Sequence, residues 1–87
     1  MASNKFDFNV ANQLVQAVAA TADALDVKNG QMEKRFGNLH ETFKDSGYDE
    51  FAVDMTAANK AIEEVIAQLK AVGGAIAKYA ARLQEES

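Results

Sequence analysis

The single histidine of this 87-residue chain, His40, stands where a metal site or a general base would have to begin. A helical metal site needs further ligands three or four residues away, and those positions hold Phe36, Gly37, Phe43 and Lys44. The Glu-x-x-His signature of di-metal helical bundles fails at Gly37, so His40 reads as an exposed or partly packed helix residue. Glu63-Glu64 and Asp49-Glu50 are carboxylate neighbours, but adjacent residues on a helix point about 100° apart and cannot share a proton. The serines, Ser3, Ser46 and Ser87, lie in no nucleophile-elbow pattern, and no glycine-rich phosphate loop is present. The absence of cysteine excludes thiol catalysis, thiolate zinc sites and a disulfide framework. The expectation is a protein that is not an enzyme and uses no cofactor or metal.

With no chemistry to position, the elements must serve packing. The chain is long enough for one domain, residues 1–87, and its 48% hydrophobic and 25% charged composition fits a folding chain. Nine Lys and Arg against thirteen Asp and Glu give a net charge of −4, and only Lys34-Arg35 is a basic doublet. Such a balance offers no counterion release to drive nucleic-acid binding. No stretch approaches the roughly 20 apolar residues of a membrane span. The segment Met1 to Asn9 has no apolar h-region, so the sequence predicts no cleavable signal peptide.

Zero proline and five glycines in an alanine-rich chain predict long helices. In the second half Phe51, Met55, Ala58, Ile62, Val65, Leu69, Val72, Ile76, Tyr79 and Leu83 follow at alternating steps of four and three, a heptad seam. Glu63, Glu64, Gln68, Lys70, Lys78 and Arg82 occupy the remaining surface and make the helix amphipathic. In the first half Val10, Leu14, Val18, Leu25, Met32, Phe36, Leu39 and Phe43 form a broader stripe, widened by Ala11, Ala17 and Ala22 and interrupted at Thr21, Lys28 and Arg35. A bend or fray is expected near Lys28-Asn29-Gly30, and Gly73-Gly74 marks either a weak point or a close helix approach. Between the halves, Ser46 with Asp49 reads as a capping box, and Asp49 and Glu50 complement the helix dipole.

The predicted fold is all-α: an antiparallel two-helix hairpin with helix one at about 8–43, a turn at about 44–47 and helix two at about 48–84. Val53, Ala57, Ala61, Ile66, Ala71, Ala75 and Ala77 flank the second seam and make its apolar sector wider than one partner helix needs. A second hairpin is therefore expected to complete a four-helix bundle, as a homodimer or a heterodimer. The predicted interface is Leu14, Val18, Leu25, Met32, Phe36, Leu39, Met55, Ile62, Val65, Leu69, Val72, Ile76 and Leu83.

The turn reads Phe43-Lys44-Asp45-Ser46-Gly47-Tyr48-Asp49-Glu50-Phe51. In an acidic hairpin without proline or cysteine it resembles the WXG100 or ESAT-6-like family, small helical substrates and partners of bacterial type VII (ESX) secretion. Phe43 stands at the family's tryptophan, Asp45 at its glycine and Phe51 at its later aromatic; Ser46 and Gly47 complete the turn. The family's export signal pairs a tyrosine with an acid four residues on. Here Tyr79 is followed at that distance by Leu83, with Glu85 and Glu86 beyond, so the signal is degenerate.

The resemblance implies a protein that is cytoplasmic before export and then secreted without a cleavable signal, as a dimer or as an adaptor for a larger effector. Its implied partners are itself, a second WXG100-like chain or a toxin's N-terminal helical region, together with the type VII machinery. The same hairpin would also suit an intracellular scaffold or regulator that binds one partner helix and is never exported.

Overall fold

The computed structural model describes residues 5–86. The serines at positions 3 and 87 lie outside them. Two helices account for the described architecture, α1 at Phe8–Thr42 and α2 at Gly47–Glu86, packed against one another as a hairpin 64 Å long and 19 by 18 Å across. Both boundaries fall close to the expected ones, and each has a local cause. Asp7 caps α1, its Oδ1 accepting from the Val10 N–H at 3.1 Å and its carbonyl from Ala11 at 2.9 Å. Phe43 ends α1 by turning to an extended conformation while its N–H still donates to the Leu39 carbonyl at 2.8 Å.

The start of α2 corrects the expected Ser46–Asp49 capping box. Asp45 is the cap: its Oδ1 accepts from the Gly47 N–H at 2.9 Å, and its carbonyl from the Tyr48 N–H at 2.9 Å. The Ser46 hydroxyl turns to Asp45 Oδ1 at 3.4 Å, and Asp49 meets Ser46 only through backbone. A carboxylate one residue upstream is a stronger acceptor for the freed amides than a hydroxyl. The chain does not fray near Lys28-Asn29-Gly30, since α1 runs unbroken through it. Asn29 is buried in the seam, and packing against α2 holds the backbone where local propensity would let it fray.

The seam runs along Ala11, Val15, Val18, Ala22, Leu25, Asn29, Met32 and Phe36 on α1, all buried or half-buried, at alternating steps of four and three. The matching set on α2 is Tyr48, Ala52, Met55, Asn59, Ile62, Ile66, Leu69, Gly73, Ile76, Ala80 and Leu83. Both follow the coiled-coil heptad. Gly73 is buried where the helices meet, and a Cβ there would lie 3.6 Å from Val18 Cγ1, an ordinary van der Waals contact, so the site has room for a methyl group but not for a larger side chain.

Candidate docking face

Seven-residue spacing divides the apolar side of α2 into three parallel stripes. The inner stripe, Ala52, Asn59, Ile66, Gly73 and Ala80, faces α1. The middle stripe, Met55, Ile62, Leu69, Ile76 and Leu83, is half-buried at the edge of the seam. The outer stripe is Phe51, Ala58, Val65, Val72 and Tyr79, and its four large members each leave 44% to 50% of their surface open. The heptad seam read from the sequence was the middle stripe plus the outer one. Only its middle half packs on α1; α1 takes the inner stripe instead, so the outer stripe lies outside the seam and its large members stay about half exposed.

On α1 the predicted interface residues divide in the same way. Val18, Leu25, Met32 and Phe36 are half-buried in the seam, whereas Leu14 and Leu39 are exposed beside it. Shallow grooves join the two helices on this side, one between Leu25, Ile62 and Val65, another between Phe36, Leu39, Phe51, Met55 and Ala58 with Asp54 at its rim. The predicted set thus lies along one side of the hairpin, part of it seam and part of it open surface.

At the hairpin tip the rings of Phe43 and Phe51 stack with centroids 6.1 Å apart, joining the end of α1 to the start of α2. Tyr48 stacks on His40 at 4.0 Å and on Phe36 at 4.7 Å, so the histidine serves ring packing there. At the other end Phe6 meets Phe8 at 5.1 Å and Tyr79 at 5.2 Å, and the Arg82 guanidinium lies 5.4 Å from the Tyr79 ring centre. Tyr79 and Glu85, which the resemblance sets at the position of an export signal, both lie within α2.

Sequence reasoning missed six seam residues and misplaced a seventh. Val15, Asn29, Tyr48, Ala52, Asn59 and Ala80 were not assigned to the seam, and Ile66, read as a flank, is 7% exposed, the least exposed large hydrophobic among the described residues. The available signal was their spacing: Asn29 lies seven residues from both Ala22 and Phe36, and Asn59 seven from Ala52 and Ile66.

Among the described residues, no group of three or more His, Cys, Asp or Glu is placed to hold a metal ion. Nor is any helix among them long and apolar enough to cross a membrane. No family model matches the chain, and neither does any curated protein or solved structure. The geometry of the face therefore carries the functional argument.

Proposed function

We infer that this chain is a non-enzymatic interaction hairpin that docks its outer stripe, Phe51, Val65, Val72 and Tyr79, on a second helical hairpin to form a four-helix bundle. The observation that carries this reading is surplus surface. A compact protein of 9.4 kDa exposes about 5,000 Å² by the usual size scaling. This hairpin exposes 6704 Å². The excess of about 1,700 Å² is more than the roughly 800 Å² that each partner contributes to a standard interface. That surplus belongs to the whole elongated hairpin, and within it the contiguous, half-exposed apolar stripe has the character of an association face.

The resemblance at the turn extends the reading to a role: a WXG100-like substrate of type VII secretion, or an adaptor that accompanies a larger effector. The stacked Phe43 and Phe51 fill the tip positions on which that resemblance rests. Delivery is tested by recovering the chain from the culture supernatant of its source, with and without an active secretion ATPase. Retention inside the cell under both conditions favours the scaffold reading.

Docking is tested separately by light scattering after size exclusion. The double variant Val65→Glu/Val72→Glu charges the open stripe and leaves the intramolecular seam alone. The wild-type chain is expected at twice 9.4 kDa and the variant at 9.4 kDa with its helicity retained. The same mass for both chains would sink the reading as self-association.

A further inference from the structure

Beside the outer stripe, α2 carries a further row at seven-residue spacing, Asp54, Ala61, Gln68, Ala75 and Arg82, all of it exposed. Three contacts place this row at the rim of the docking face. Asp54 borders the groove formed with Phe36, Leu39 and Phe51, and Ala61 borders the one formed with Leu25 and Val65. The Arg82 guanidinium lies 5.4 Å from the centre of the Tyr79 ring. The row is symmetric in size and antisymmetric in charge. Asp54 and Arg82 each stand fourteen residues from Gln68, about 21 Å along the helix, and Ala61 and Ala75 each stand seven from it. The outer stripe has nearly the same centre, since Val65 and Val72, and likewise Ala58 and Tyr79, are balanced about a point half a residue beyond Gln68. A surface that matches itself when reversed, with opposite charges at its two ends, suits a two-fold axis across the helix. Each residue of one copy then meets its counterpart on the other, and the reverse contact follows by symmetry.

We propose that the occupant of the docking face is a second copy of this chain, with α2 antiparallel on α2 about a two-fold axis at Gln68, so that Asp54 of each protomer faces the partner's Arg82. This rests on the docking reading above and names the partner and its direction. In that arrangement Val65 faces the partner's Val72, and Ala58 faces the partner's Tyr79, a small side chain opposite a large one. Two other directions fit worse. With both hairpin tips at one end, a two-fold axis along the helices would lay α2 on the partner's α1. The outer stripe would then meet the row Leu14, Thr21, Lys28, Arg35 and Thr42, which is apolar at one position only. Two α2 helices running parallel would set Asp54 in one layer with Asp54 and Arg82 in one layer with Arg82, and like charges across an interface disfavour that pairing. The apolar stripe supplies the affinity and the ion pairs supply the direction, since exposed pairs contribute little energy by themselves.

The chain contains no cysteine, so Gln68→Cys and Ala61→Cys each supply a single reporter thiol. Under mild oxidation Gln68→Cys is expected to form a disulfide-linked dimer, because the axis brings position 68 against itself. Ala61→Cys is expected to stay unlinked alone and to link when mixed with Ala75→Cys. Charge reversal tests the two ends independently. Asp54→Arg and Arg82→Asp should each weaken the dimer about tenfold in a dilution series while helicity is retained. An equimolar mixture of the two should recover the wild-type affinity, because every facing pair is again opposite in charge. A dimer in which Ala61→Cys links alone and Gln68→Cys does not, or whose affinity neither reversal changes, overturns the proposal and leaves the docking face in place. A wild-type chain that stays at 9.4 kDa throughout the dilution series also overturns it, since the occupant would then be a different protein. Failure of the docking reading looks different from both: a dimer that Val65→Glu/Val72→Glu leaves intact.

Discussion

Asp45 shows how one side chain decides where an element begins. Its carboxylate accepts the Gly47 N–H and its carbonyl the Tyr48 N–H, so two of the four unpaired amides at the start of α2 are met by a single residue. Removing a capping side chain costs about 1 kcal/mol. Asp45→Ala is therefore expected to lower stability in urea unfolding by about that amount, whereas Ser46→Ala should stay within about 0.5 kcal/mol, as surface substitutions do. A larger loss at Ser46 would return the cap to the hydroxyl. The sequence made both residues candidates, since each type caps helices; the choice depends on the backbone path out of Phe43, which no local pattern encodes. His40 is a similar case. The lack of helical co-ligands was legible, and the stack on Tyr48 at 4.0 Å was not, because it joins residues from different elements.

Helix existence, number and ends were legible because the signals are local: absent proline, abundant alanine, and Asp-Ser-Gly between two amphipathic runs. Helix rotation was not. Phe51, Val65, Val72 and Tyr79 complete a better heptad by hydropathy than Ala52, Asn59, Ile66, Gly73 and Ala80, and a pattern read by apolar content chooses the former. The fold chooses the latter because small residues permit close approach, a property of two surfaces together. The paired glycines separate these effects. A Cβ at Gly74 meets nothing within 4 Å, and one at Gly73 meets Val18 Cγ1 at 3.6 Å, an ordinary contact. Glycine costs a helix interior about 1 kcal/mol against alanine, so Gly73→Ala and Gly74→Ala should each stabilise the hairpin by up to about that much. Gly73→Leu should reverse the gain where Gly74→Leu does not, because only the first would force the arms apart. Equal effects of the two leucine variants on the unfolding midpoint would remove Gly73 from the close approach.

A hairpin 64 Å long and under 20 Å wide has too little interior to enclose its own apolar residues, and among the described residues only Ala22 and Ile66 are hydrophobics less than about a tenth exposed. Stability of such a molecule is expected to depend on what covers its open side. If the covering surface is a second copy, folding and association are linked, and each tenfold rise in protein concentration can add at most about 1.4 kcal/mol. For a domain of this size that corresponds to several degrees in Tm, since about 1 kcal/mol moves the midpoint by roughly 4–8 °C. The wild-type chain should show this rise across a dilution series followed by circular dichroism, and Val65→Glu/Val72→Glu should not, its Tm staying at the value the wild type reaches at low concentration. A concentration-independent Tm for the wild type would assign the outer stripe to a different protein. Adding that protein should then raise Tm for the wild-type chain and leave the charged variant unchanged, because the apolar stripe that gains from being covered is the same in either case.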